Sequence, residues 1–178
     1  MTGSRLAFDS SPLNYFARSG QMFVLGKLVQ DSSCLITRAV EDELLRGASK
    51  HVQLYQASAQ SWLTVVEDSS IEFLRLFSEY HSRLGGGGRN IGEASTLAYA
   101  ELHGITAFLD DRVGRRHGRE RGVLVTGTLE LLCRAIRDNM LGESEAEGII
   151  DVLADHEAFL PCNGSTFLEW ARAEGFLS

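Results

Sequence analysis

Residues 6–20 read LAFDSSPLNYFARSG, and this stretch sets the fold class. The apolar run Arg5–Phe8 stops at Asp9, and the residues after it are those that begin a helix. Ser10 or Ser11 can serve as the cap, and Pro12 falls near the first helical position, where a missing N–H costs nothing. The same strand-then-helix order recurs along the chain. Cys34–Ile36 leads into a helix Arg38–Arg46 that Thr37 can cap and Gly47 can stop. Trp62–Val66 is rich in strand formers and precedes a helix that opens at Asp68–Ser70 and runs through Arg83. Ile105–Leu109 precedes an arginine-rich segment, and Val123–Val125 precedes a helix from about Thr128 to Asn139. Further helical patterns cover Gln21–Gln30, Gly92–His103, Glu143–Glu157 and Ser165–Ala173. Five short apolar strands separated by helices predict an α/β fold, a mostly parallel sheet covered on both faces. Gly85–Gly88 reads as a surface loop, and no repeat or long linker divides the chain. The expectation is one domain over residues 1–178, with the helices from about residue 143 packing on it.

Composition excludes several classes. The chain has 178 residues, 44% hydrophobic and 23% charged with two prolines, which suits an ordinary globular core rather than disorder. No apolar run approaches the roughly 18–20 residues of a membrane span, and the N-terminus lacks a signal-peptide layout. Neither membrane association nor secretion is expected. Cys34, Cys133 and Cys162 form no C-x-x-C pair, which argues against a disulfide framework or a cysteine zinc site and for a cytoplasmic protein. The net charge of −7 argues against coating nucleic acid by bulk charge. Five of the 15 arginines nevertheless fall within DRVGRRHGRERG, residues 111–122. That strip is either a contact for a phosphate backbone or a solvated helix face.

In open parallel sheets, ligands bind beyond the carboxyl ends of the strands. Asp9 lies at such an end, as do Asp110 and Asp111. Glu43 falls at the edge of the helical stripe that carries Val40 and Leu44, whereas Asp42 points away. Glu93 sits in a first helical turn. Each acid has an ordinary alternative, Asp9 as a helix cap, Glu93 as a partner of the helix dipole and Glu43 as an exposed residue. Gathered at one place, however, these carboxylates would repel one another unless a divalent cation neutralised them, and oxygen-only ligands suit Mg²⁺ or Mn²⁺. Rival chemistries lack their motifs. GGGGRN follows a helix rather than a strand and is no phosphate loop, and no G-x-S-x-G elbow is present. Cys34 reads as a core residue, and His103 and His117 as surface or structural ones with substrate contact as the alternative.

The residues resemble those of the PIN-domain ribonucleases. LAFDSSPLNYFARSG is similar to the family's opening strand and aspartate, TRAVEDELLRG to its second acidic motif, GEASTLAYAELHG to its third and FLDDRVGRR to its fourth. With GVLVTGTLELLCRAIRDNMLG and the closing GFLS, the likeness extends to a subgroup related to the VapC toxins. The resemblance implies a PIN-like sandwich with strand order 3-2-1-4-5 and Mg²⁺- or Mn²⁺-dependent hydrolysis of RNA. It also implies a homodimer and, in toxin members, an antitoxin protein as inhibitor. Carried onto this chain, Asp9, Glu43, Glu93 and Asp111 are the candidate catalytic residues. Asp9, Glu93, Asp110 and Asp111 are the candidate metal ligands. Ser11, Arg112, Arg115, Arg116 and Arg119 are the candidate substrate contacts. Leu109, Ser95 and Gly85–Gly88 depart from the family pattern, and Leu109 and Ser95 motivate an alternative, a PIN-fold module that binds nucleic acid or protein with little turnover.

Overall fold

The computed structural model describes residues 3–88 and 90–178. Among them, five strands form one all-parallel sheet in the order β3-β2-β1-β4-β5. The strands are β1 (Arg5–Phe8), β2 (Ser33–Thr37), β3 (Leu63–Val66), β4 (Thr106–Phe108) and β5 (Val125–Thr126). The helices are α1 (Ser10–Arg18), α2 (Met22–Leu28), α3 (Arg38–Gly47), α4 (Leu54–Ser58), α5 (Ile71–Arg83), α6 (Ile91–His103), α7 (Arg112–Glu120), α8 (Thr128–Arg137), α9 (Glu143–Asp155) and α10 (Gly164–Ala173).

Strand periodicity sorts the core into two layers. Leu6 and Phe8, Cys34 and Ile36, Leu63 and Phe108 face one side, where they meet residues of α1–α4 and α8–α10. Ala7, Leu35, Ala107 and Leu109 face the other side, against α5 and α6. Phe8 and Phe108, paired across β1 and β4, stack at 4.3 Å between ring centroids. Ile149, Ile150, Leu153, Phe167 and Ala171 belong to the first layer's core, so the last two helices are built on the sheet. Helix α6 is buried from Gly92 through Ala100, and its run of small residues lets it lie close under β1 and β4.

Several expectations shift. Asp9, not Ser10 or Ser11, is the N-cap of α1, accepting from the Ser11 amide at 3.3 Å. Pro12 then occupies the third helical position, still within the first turn where amides lack helical partners. The fifth strand is Val125–Thr126 rather than Val123–Val125, because the amides of Ala107 in β4 and of Leu109 just after it reach the carbonyls of Leu124 and Thr126. The arginine-rich segment is helical (α7), and α4 has no counterpart in the sequence reading. No helix among the described residues is long and apolar enough to cross a membrane.

Candidate metal centre

The sheet order makes β1 and β4 neighbours, and the chain leaves them toward opposite edges, the switch point at which parallel sheets open a crevice. Asp9 follows β1 directly, and its amide donates to the Phe108 carbonyl at 2.9 Å, which sets it beside the end of β4. Asp110 and Asp111 continue from β4. Beneath them lies the first turn of α6, and the next turn is tied to the same strand end by Thr96 Oγ1 donating to the Phe8 carbonyl at 3.3 Å. Glu93 stands in the first turn, 7% exposed. Glu43 reaches over from α3.

Hydrogen bonds divide the five acids into two groups. Glu43 has both oxygens engaged, Oε2 by the Ser10 hydroxyl at 2.8 Å and Oε1 by the Gly92 amide at 2.8 Å. It therefore caps α6, whose own N-cap residue Asn90 has a left-handed backbone and makes no side-chain cap bond. Asp110 is engaged likewise, accepting from the Thr128 amide at 2.7 Å and the Thr128 hydroxyl at 2.6 Å. Asp111 uses only Oδ1, which accepts from the amides of Val113 and Gly114 at the start of α7. Asp9 uses only Oδ2, and Glu93 Oε1 is buried with no hydrogen-bond partner among the described residues. Among the described residues, oxygens of Asp9, Glu93 and Asp111 are thus left without donors.

Electrostatics shows that these carboxylates share one region. Burial and the charges of Asp9, Asp111 and Glu43 push the Glu93 carboxyl up to about 8. Burial, with Glu43's charge adding to it, raises Asp9 to about 6 against the opposing amides of Ser10 and Ser11. Burial also raises Asp110, opposed by Thr128 and Arg115. Tyr15 of α1 lies beside the same group: burial raises its hydroxyl, and so do the charges of Asp110, Asp9 and Asp111.

Three glycines make this packing possible. A Cβ on Gly114 would stand 1.7 Å from Glu93 Oε1, one on Gly92 2.5 Å from Glu43 Oε2, and one on Gly127 2.6 Å from Asp110 Oδ1. The sequence reading missed Gly92, Gly114 and Gly127, together with Ser10, Tyr15 and Thr128. Glycine spacing within RVGRR and VTGT was the only available signal.

A PIN-domain family model matches residues 5–164. The chain belongs to the PIN-domain family. Among curated proteins, none matches it. PIN domains have a nuclease-like fold and typically use divalent metals. In this PIN domain the donor chemistry fits such an ion. The oxygens lacking donors are hard carboxylate ligands, one of them orphaned in the interior, and their mutual repulsion is what a cation removes. Among the described residues, no three acidic, histidine or cysteine side chains are yet drawn tightly enough to enclose an ion. Binding would therefore include a side-chain adjustment of Asp9, Glu93 or Asp111.

The remaining candidates separate by environment. Ser11 is half-buried beside Asp9. Arg112, Arg116 and Arg119 are exposed on α7. Arg115 is turned inward. Its Nη1 donates to the Leu109 carbonyl and to Glu130, and its Nη2 forms a second bond to Glu130, so its guanidinium braces the β4–α7 turn. Ser95 is buried and bonded to Thr37 at 2.6 Å, and Leu109 is a core residue packed near Gly114.

Proposed function

We propose that this PIN domain is a divalent-metal-dependent ribonuclease in which Asp9, Glu93 and Asp111 hold the ion. The observation that carries the reading is the orphaned Glu93 Oε1, buried among like charges at the carboxyl ends of β1 and β4. Bound Mg²⁺ or Mn²⁺ supplies charge neutralisation for a phosphodiester and a lowered pKa for water. Glu43 acts as a positioning residue: by capping α6 through Gly92 it fixes the turn that carries Glu93. Asp110 holds the start of α8 through Thr128 and adds negative charge from the second layer of the site. Ser11, half-buried beside Asp9, is the hydroxyl assigned to the substrate phosphate. Arg112, Arg116 and Arg119 offer exposed charges that position an RNA backbone without reading its sequence. Hydrolysis adds water across one phosphorus–oxygen bond, leaving a phosphate monoester and a hydroxyl.

The test is cleavage of single-stranded RNA by the purified protein with Mn²⁺, with and without chelator. Cleavage is expected with metal, none with chelator, and a loss of at least about 100-fold in Asp9→Asn. Unchanged cleavage in that variant overturns the reading. The VapC-like resemblance extends it to a homodimer restrained by an antitoxin, which sedimentation and a small reading frame beside the gene would support. The open spacing of the acids and the apolar Leu109 favour a second reading, a PIN module that binds without turnover. Calorimetry separates the two, since that module would take up RNA but no Mn²⁺.

A further inference from the structure

A cavity of about 240 Å³ opens along the outer edge of β5, and none of the clustered acids lines it. Arg119 of α7 lines it from one side, Glu130, Arg134 and Arg137 of α8 from the other, with Val125 and Phe176 between them. Its charge is unbalanced. Glu130 is the one acid in the lining, and Arg115, which lies outside the lining, already neutralises it through two hydrogen bonds. Arg119 stands 3.9 Å from that same carboxylate. Arg134 is half-buried and has no carboxylate within 4.0 Å among the described residues. Arg137 donates to the Phe176 carbonyl at 2.8 Å, which holds it at the wall of the cavity.

The carbonyls of Leu124 and Thr126 accept from Ala107 and Leu109, so strand alternation turns the amide and carbonyl of Val125 together toward the outer edge. Among the described residues, no strand covers that edge. Uncompensated arginines in one recess call for an anion, and guanidinium forks match phosphate oxygens. The volume lies below the roughly 300–1,000 Å³ of sites that hold a whole small ligand, which suits part of a longer one. Arg115 and Gly127 connect the recess to the acids, since a Cβ on Gly127 would touch both Arg115 Nη1 and Asp110 Oδ1.

We propose that the β5-edge recess is a phosphate subsite for a single nucleic-acid strand, gripped by Arg134 and Arg137 with Arg119 at its mouth. The proposal rests on the nuclease reading only for the identity of the strand. It is tested by fluorescence anisotropy with a labelled single-stranded RNA decamer in chelator, so that binding is read without cleavage. Arg134→Gln, which has no ion pair to lose, and the double variant Arg134→Gln/Arg137→Gln are compared with Arg172→Gln on α10. Each lost contact is expected to weaken binding severalfold at low salt and to flatten the slope of log K against log salt by about 0.7. Arg172→Gln leaves both unchanged, and Arg134→Gln melts like the parent. Equal affinity and slope in Arg134→Gln and the parent overturn the subsite even if RNA is cleaved. Displacement of the decamer by inorganic phosphate or a nucleoside monophosphate at similar concentrations overturns it too, by marking a small-molecule site. An arginine effect in a protein that cleaves nothing upholds the subsite while the ribonuclease reading fails.

Discussion

The side chain of Glu93 concentrates the physics of the site. Burial and three neighbouring negative charges set its carboxyl at about 8 against an ordinary 4.5. The folded, metal-free protein therefore binds a proton there that the unfolded chain has already released at neutral pH. Linkage fixes the sign: stability is highest near the unfolded value and falls as pH rises toward 8. Asp9, raised to about 6, contributes in the same direction over the lower part of that window. The acids whose pKa is lowered, Asp68, Glu101 and Glu157, act below their ordinary values and leave this window untouched. In chelator, thermal melts are expected to show lower stability at pH 8 than at pH 5.5. Glu93→Gln should remove most of that difference and stabilise the metal-free protein at pH 8 by on the order of a few kcal/mol. A pH profile identical in parent and variant would show that Glu93 is not buried among charges. Gly114→Ala tests the same side chain from outside. Its Cβ would displace the Glu93 carboxylate, and a fall of at least about 10-fold in Mn²⁺ affinity is expected by calorimetry, with the fold retained.

Among the elements, those whose signal is local were legible from sequence, and those that depend on tertiary contacts were not. Residues 5–8 and 34–36 are short apolar runs bounded by polar residues, and both are strands. Glu43 was legible as an inward acid because helical geometry alone separates it from Asp42, which is exposed. Its task was not, because the Gly92 amide it caps lies 49 residues away. Arg115 is a similar case. Sequence groups it with the other arginines of α7, yet only the fold brings Leu109 and Glu130 within its reach. The β5 strand moved by one to two residues because its pairing with β4, not its own apolar run, determines its bounds. The joint between β4 and α8 is testable at this scale. Thr128→Val keeps the side-chain shape but removes the hydroxyl that donates to half-buried Asp110 at 2.6 Å. A hydrogen bond to a charged group contributes about 1.5–3 kcal/mol, so denaturant unfolding should show a loss of that size. Asp110→Asn in the same background should recover part of it by removing a charge left with the Thr128 amide as its hydrogen-bond donor.

At the scale of the whole molecule, a chain of net charge −7 gathers five carboxyl groups at the carboxyl ends of β1 and β4, where burial and mutual repulsion oppose their ionisation. A cation resolves that conflict, and the consequence reaches global stability, because a ligand that binds only the folded state adds its binding free energy to folding. At 100 times Kd this amounts to about 2.7 kcal/mol. For a chain of this length each kcal/mol moves Tm by about 2–4 °C, so Mn²⁺ should raise Tm by roughly 5–11 °C at pH 8. The shift should shrink at pH 5.5, where Glu93, set at about 8, and Asp9, set at about 6, hold protons that the ion must displace. Asp9→Asn and Glu93→Gln should each abolish most of it. Asp42→Asn, on the exposed side of α3, should leave it intact. A metal-induced shift that is equal at both pH values, or that survives loss of Asp9 and Glu93, would locate the ion elsewhere on the protein. Absence of any shift at millimolar Mn²⁺ would instead favour the module that binds without turnover.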